Sequence, residues 1–169
     1  MPKDKLFPVD ARLNRVNGML RVLFHNNSKL TVAQLSKMTD NEVDTLLPQV
    51  NAAELLKLVR VFEDDIILTS LGKSLYHNEE EADKEISKML LKFEPFKTAQ
   101  EMSKKEGRFR TEQLAEKLKK RKLVYDLDKE RNENMIKNIL FQWGIPFSII
   151  DYYGVNDYWT EDTKPMWSV

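Results

Sequence analysis

The order of hydrophobic patterns along this chain constrains its fold most, because one order of elements occurs twice. Apolar residues recur every three or four positions between residues 10 and 25, and shorter helical patterns begin near Thr31 and Thr39. Two runs rich in β-branched residues within positions 58–68 then flank a polar turn, which predicts a hairpin. We therefore expect three helices followed by a hairpin in the first half of the chain.

Local capping signals predict where these helices begin. Thr31 is a suitable N-cap for the second helix, and Thr39-Asp40-Asn41-Glu42 has the pattern of a capping box that opens the third. Pro48 lies within the third helical pattern, where it removes a backbone donor and crowds the preceding turn. We expect a kink or a helix boundary at this proline.

The second half of the chain repeats the order. Thr111-Glu112-Gln113-Leu114-Ala115 resembles the segment that starts at Thr31, and an uninterrupted helical pattern follows over residues 132–143. Gly144-Ile145-Pro146 has the glycine, apolar residue and proline of a C-terminal cap. Residues 147–159 then predict a second hairpin.

Three helices followed by a hairpin is the element order of a winged helix, the variant of the helix-turn-helix that carries a β wing. We therefore expect a mainly α-helical fold with small β-hairpins (α+β), built from tandem winged-helix units. The expected boundaries are 9–76 for the first unit, 77–81 for a linker, 82–162 for the second unit and 163–169 for a tail.

Composition excludes several protein classes. The 169 residues include 27 Lys and Arg against 27 Asp and Glu, so the formal net charge is zero, and they include no cysteine. Without cysteine there is no disulfide framework, no thiolate nucleophile and no thiolate metal site. The N-terminus has no signal-peptide core, and no run of about 18 apolar residues occurs. We expect a cytoplasmic protein without membrane insertion.

The chain carries no recognisable motif for catalysis. Its five glycines form neither a phosphate-binding loop nor a dinucleotide-binding fingerprint. His25 and His77 each precede an asparagine, and their spacing and flanking acids form no ligand motif. We expect a protein that is not an enzyme, with no catalytic residues, no cofactor and no metal ion.

Winged helices often bind DNA through the third helix of the unit, so the charge of that helix tests this function. In the first unit the helix opens with Asp40, Asn41, Glu42 and Asp44, and no Lys or Arg follows before Lys57. Affinity for DNA depends largely on neutralising phosphates. We therefore expect the first unit to be a poor reader of DNA.

The second unit has a basic segment, because residues 104–122 carry nine basic side chains against three acidic ones. Its densest part lies at the end of the helix before the expected recognition helix, where the helix dipole also favours cations. A nucleic-acid surface, a surface for an acidic protein partner and an ordinary solvated face are the alternatives. The candidate binding residues are Lys117, Lys119, Lys120, Arg121, Lys122, Lys129 and Arg131.

Aromatic residues are concentrated in the second predicted hairpin. Strand residues alternate between the core and the outside, and outward Tyr and Trp side chains are typical anchors of protein interfaces. The set is either a surface for self-association, as in a homodimer, or a cap on the core against the helix over residues 135–143. The candidate interface residues are Tyr152, Tyr153, Tyr158 and Trp159.

Two runs, Leu-Leu-Pro-Gln-Val-Asn-Ala-Ala-Glu-Leu-Leu at 46–56 and Ile-Leu-Thr-Ser-Leu-Gly-Lys at 67–73, resemble the AAA-associated C-terminal domain. The resemblance continues through residues 139–144 and 157–159. That domain is an extension behind the ATPase of ABC importers of the nitrate, sulfonate and taurine class. Lys57 stands where the family usually has glycine, so we expect the third helix to end differently, a residue or two later.

The resemblance implies a regulatory or interaction role and brings no catalytic residues. Since no ATPase motif occurs in the chain, we expect it to act as a detached partner of an ABC importer ATPase, through protein contacts. The alternative hypothesis is a DNA-binding transcription regulator that uses the basic segment of the second unit.

Overall fold

The computed structural model describes residues 5–161, which divide into two compact units. The first unit comprises residues 10–89, and the second comprises residues 5–9 together with 90–161. The N-terminal segment joins the second unit through the backbone, because the Phe7 N–H donates to the Glu94 carbonyl over 2.8 Å. The predicted tail, 163–169, lies outside the described residues.

The first unit contains the predicted helices and hairpin in the predicted order. Strands β1, β2 and β3 form one antiparallel sheet with the order β1-β3-β2, in which Val61 lies opposite Ile66. The hairpin predicted within residues 58–68 is thereby confirmed. The elements are α1 (Leu13–His25), β1 (Lys29–Thr31), α2 (Val32–Thr39), α3 (Val43–Leu55), β2 (Val59–Phe62), β3 (Asp65–Leu68), α4 (Ser70–Ser74) and α5 (Glu79–Leu90).

The capping box lies at the start of α2 and not at the start of α3. Thr31 Oγ1 accepts from the Gln34 N–H (3.1 Å), while Gln34 Oε1 accepts from the Thr31 N–H (2.9 Å), which confirms the predicted N-cap. The box predicted at Thr39 is wrong, because the Thr39 hydroxyl donates back to the Leu35 carbonyl of α2. Helix α3 starts after Glu42 without a side-chain cap and continues through Pro48 to Leu55.

Helix α3 ends where the family places its glycine. Lys57 has φ of 61°, in the left-handed region. The Lys57 N–H donates to the Glu54 carbonyl, and the Leu58 N–H donates to the Ala53 carbonyl, which is the Schellman arrangement. The expectation of a later ending is therefore wrong, because the lysine adopts the conformation that a glycine would take.

The second unit repeats the order of the first. Its strands form an antiparallel sheet with the order β4-β6-β5, the same pattern as β1-β3-β2. The hairpin predicted over residues 147–159 forms over residues 151–160. The elements are α6 (Phe96–Glu106), β4 (Arg108–Phe109), α7 (Thr111–Lys120), α8 (Lys129–Ile139), a π-helical turn (Leu140–Gly144), β5 (Asp151–Tyr153) and β6 (Tyr158–Thr160).

Gly144 does not end its helix in the way the sequence predicted. It lies inside the π-helical turn, and Ile145 continues in right-handed helical conformation with its N–H on the Leu140 carbonyl. The glycine is explained by packing, since a Cβ at this position would lie 3.1 Å from Ile150 Cγ2. A glycine does end a helix at Gly107, the C-cap of α6, with φ of 78°.

The core of the second unit is built around Phe7, which is fully buried. Its ring makes edge contacts with Phe96 (5.4 Å between centroids) and with Trp143 (5.0 Å). The Tyr125 hydroxyl donates to the Phe7 carbonyl over 2.7 Å. Burial is the main cause that raises the pKa of Tyr125 above its ordinary value. The N-terminal segment is therefore part of this core.

Candidate functional site

A cleft of about 250 Å³ lies between the end of α7 and the start of α8. It brings together three of the predicted binding residues, Lys119, Lys122 and Lys129. Leu127, on the connection between the helices, is 97% exposed at its edge. The other lining residues are Ala115, Glu116, Val124, Asp126, Asn132 and Glu133.

The cleft carries both signs of charge. Lys129 Nζ lies 3.1 Å from Glu112 Oε1, and this hydrogen bond raises the pKa of the Lys129 ammonium above its ordinary value. Glu133 Oε1 is buried and accepts no hydrogen bond from the residues that the structure describes. Acidic and basic groups thus offset each other around the cleft, which does not form a uniformly positive surface.

Arg121 differs from its neighbours in the basic segment because its guanidinium binds interior groups. Its Nη1 donates to Glu94 Oε1 (3.0 Å) and to Thr98 Oγ1 (2.9 Å). The Glu94 side chain is only 1% exposed and also accepts from the Thr98 N–H and hydroxyl, at 3.0 and 2.8 Å. Glu94 was not among the predicted site residues. The available signal was an acidic residue directly before Pro95, at a break between two helical patterns.

The remaining predicted basic residues lie on the surface. Lys117 and Lys120 are exposed on α7 and do not line the cleft. Arg131, on α8, is exposed and lies 4.0 Å from Asp126 Oδ2. The structure thus distributes the predicted set over the cleft, the surface around it and an interior ion pair.

The aromatic residues of the hairpin divide between core and surface. Trp159 is fully buried, and its indole N–H donates to Thr111 Oγ1 over 2.8 Å. Its ring packs against Phe141 at 5.1 Å and Tyr152 at 4.6 Å. Tyr153 is 56% exposed, so among the four candidates it presents the most aromatic surface to solvent. A role in self-association stays a prediction.

Tyr152 belongs to a polar network beside the core. Its hydroxyl donates to Asp157 Oδ1, which also accepts from Lys137 Nζ over 3.1 Å. The hydrogen bond from Tyr152 is the main cause that lowers the pKa of Asp157 below its ordinary value. The hydrogen bond with Tyr152 is likewise the main cause that raises the pKa of Lys137. The network fixes the turn of the hairpin to α8.

Two arginines that are not among the predicted binding residues lie against Tyr158. The Arg108 and Arg110 Cζ atoms lie 4.9 and 5.2 Å from the centre of its ring. Both arginines belong to the basic segment over residues 104–122, but neither is one of the seven candidate binding residues. The alternation Arg-Phe-Arg around the buried Phe109 was the available signal, because it places both arginines on one side of the strand.

The outer face of α3 has a different chemistry. Val43, Leu47, Asn51 and Glu54 are all exposed, and their spacing places them along one side of the helix. We call these four residues the α3 face. Val43 is 42% and Leu47 is 41% exposed, and no Lys or Arg lies on the helix. The α3 face is therefore apolar and acidic.

Within residues 5–161, no group of three His, Asp or Glu side chains could hold a metal ion. In the same part of the chain, no helix has the length and apolar character needed to cross a membrane.

Comparison with family models matches residues 33–153 to the C-terminal AAA-associated domain. The match starts within α2 and ends at the last residue of β5, so it includes parts of both units. Comparisons with curated proteins and with solved structures give no significant match. Because the match spans well over half of the 169 residues, the chain belongs to the family of the C-terminal AAA-associated domain.

Proposed function

We propose that this chain is a non-catalytic regulatory module of two winged-helix units, which binds a protein partner through the α3 face. The order helix, strand, helix, helix, strand, strand in both units supports the winged-helix assignment. So does the shared strand order, β1-β3-β2 and β4-β6-β5. The hairpins are then the wings, and α3 and α8 are the third helices.

The chemistry of α3 is the main support for a protein partner. A winged helix that reads DNA presents its third helix to the phosphates and bases. Here Val43 and Leu47 expose apolar surface, and Asp44 and Glu54 add carboxylates beside them. Phosphates would repel this surface, whereas apolar side chains bordered by lysines or arginines would complement it. The partner surface is therefore a protein surface of that kind.

The partner that we propose is the ATPase of an ABC importer, in the cytoplasm. Membership of the family of the C-terminal AAA-associated domain supports this choice, since the family name describes an association with an ATPase. The chain would change the ATPase rate by docking, without contributing a catalytic group.

The test is binding between the purified chain and the purified importer ATPase of the same organism, by isothermal titration calorimetry. Full burial of a leucine is worth about 1.5–3 kcal/mol, so the 41% of Leu47 that remains exposed is worth about 1 kcal/mol. Leu47→Asp also leaves a desolvated carboxylate, at about 1–3 kcal/mol. We expect at least a tenfold weaker Kd for Leu47→Asp.

Leu127→Asp is the matched control, because Leu127 is an exposed leucine in the second unit. We expect it to bind like the original chain, and we expect the ATPase rate to change only with variants that bind. Failure of the original chain to bind the ATPase, or equal binding by Leu47→Asp, would overturn the proposal.

DNA binding through the basic segment is the less supported function. Arg121 is held by Glu94, Lys129 by Glu112, and Arg131 lies 4.0 Å from Asp126 Oδ2. Three of the seven predicted cations therefore already have carboxylate partners. The third helix of the second unit also mixes signs, with Lys129, Glu130 and Glu133 in its first two turns. Duplex recognition by this helix would bring carboxylates towards phosphates.

A further inference from the structure

The outer side of the second sheet carries a group of residues that the proposed function does not use. Phe109 and Trp159 are paired across β4 and β6 and are fully buried. Because successive strand residues point to opposite sides, Arg108 and Arg110 share the other side with Tyr158. Tyr153 lies directly opposite Tyr158 on β5, so its side chain belongs to this side as well.

The tyrosine ring holds the two guanidiniums in place. Arg108 and Arg110 lie within cation–π distance of the Tyr158 ring, at 4.9 and 5.2 Å. Arg110 Nη2 also lies 3.4 Å from the Tyr158 hydroxyl. The N–H groups of the guanidiniums that do not contact Tyr158 match the oxygens of a phosphate. The pair is therefore arranged for an anion before any anion binds.

The charge of this pair is not neutralised by an ion pair within residues 5–161. Neither arginine has a carboxylate within the 4.0 Å of a salt bridge in that part of the chain. The charge of Arg110 contributes to the lowered pKa of Asp157, but Asp157 Oδ1 already accepts hydrogen bonds from Tyr152 and Lys137. Two cations beside one ring repel each other, so a bound anion would be stabilised by both.

A cleft of about 520 Å³ is lined by Arg108 and Tyr158, and its volume is within the range typical of small-molecule sites. Arg110 does not line this cleft but lies beside it, against the same Tyr158 ring. Tyr153 contributes a ring that is 56% exposed, and Val155 at the rim is 97% exposed. The other lining residues are Glu106, Gly107, Arg108, Asn156, Tyr158 and Thr160, and one of them, Glu106, is acidic. The cleft therefore has the Arg108 guanidinium in one part and the exposed ring of Tyr153 in another.

We propose that this cleft binds a nucleotide unit, with its phosphate on Arg108 and Arg110 and its planar base stacked on Tyr153. A phosphate suits two arginines that have no carboxylate partner within residues 5–161, and a base suits the exposed ring of Tyr153. Such a unit is supplied either by a free nucleotide or by a single nucleic-acid strand. A duplex does not offer the same contact, because its bases are already stacked on each other.

The experiment measures binding of three probes by fluorescence titration at low salt: AMP, a single-stranded thymidine oligonucleotide and inorganic phosphate. We expect Arg108→Gln/Arg110→Gln to weaken nucleotide or oligonucleotide binding at least tenfold and to lower the salt dependence. We expect Tyr153→Leu to weaken it at least fivefold, since one stacked base is lost. Lys84→Gln, an exposed lysine of the first unit, is the control.

Tighter binding of the oligonucleotide than of AMP identifies a strand as the source, and equal or weaker binding of the oligonucleotide identifies a free nucleotide. Binding of inorganic phosphate as tight as AMP, or insensitivity to Tyr153→Leu, overturns it because the base then contributes nothing. Absence of binding by AMP and the oligonucleotide overturns it as well. If the double variant does not fold, as judged by tryptophan fluorescence, the single Arg108→Gln variant provides the same comparison.

Discussion

Arg121 lies in the basic segment, yet replacing it should act on stability. Its guanidinium donates to Glu94 and to Thr98 at 3.0 and 2.9 Å, and the Glu94 side chain is 1% exposed. Arg121→Met keeps the aliphatic part of the side chain and removes the charge. The Glu94 carboxylate would then lie in the interior with hydrogen bonds from Thr98 but without its cation.

The size of the effect follows from the burial of the two partners. Removing one partner of a buried ion pair costs about 3–5 kcal/mol, because the remaining charge is left uncompensated. The Arg121 side chain keeps 35% exposure, so solvent already screens part of the attraction. We therefore expect Arg121→Met to lower the free energy of unfolding by about 2–3 kcal/mol.

Urea unfolding followed by tryptophan fluorescence measures this change, since Trp143 and Trp159 both lie in the second unit. Lys120→Met is the control, because it removes an exposed cation next in sequence and should change stability by less than about 0.5 kcal/mol. A double-mutant cycle with Glu94→Gln should give a coupling energy of about 1–3 kcal/mol. Equal stability of Arg121→Met and Lys120→Met would show that the ion pair between Arg121 and Glu94 does not stabilise the fold.

Three backbone positions give further predictions, each measured as the change in the free energy of unfolding followed by circular dichroism. Gly72→Ala should destabilise the first unit by about 3 kcal/mol, since its Cβ would meet the Leu58 carbonyl oxygen at 2.3 Å; a change below about 0.5 kcal/mol would contradict this. Gly18→Ala, in the middle of α1 with nothing within 4 Å, should instead stabilise by about 0.5–1 kcal/mol. Lys57→Gly should stabilise by about 1 kcal/mol, because it relieves a left-handed lysine; a loss of stability would refute that account.

The sequence was sufficient for the main helices, the two hairpins and their order, because these depend on local periodicity, whereas the short strands β1 and β4 were not predicted. The N-cap at Thr31 and the hairpin that ends at Leu68 are read from residues a few positions apart. The false box at Thr39 arose because a threonine fits either end of a helix, and its hydroxyl bonds back to Leu35 here. Gly144 was misread for a similar reason, since a glycine can serve packing as well as a turn.

The candidate sites were harder to predict, because their residues meet only in the folded chain. Arg121 and Glu94 are 27 residues apart, and Arg110 and Tyr158 are 48 apart. Charge counting treated every cation of the basic segment alike, whereas the fold gives each one a different partner. A local net charge therefore cannot assign a role to any single arginine.

The two units share one topology but expose different chemistry on their third helices. Helix α3 carries exposed Val43 and Leu47 with carboxylates and no cation, whereas α8 carries Lys129 and Arg131 beside acids. A partner that bound both helices alike would need a basic apolar surface for one and a mixed charged surface for the other. Specificity is set by such differences, since a surface that suits one helix is repelled by the other. We therefore expect the units to bind different ligands, and the effects of Leu47→Asp and of the arginine variants to be independent.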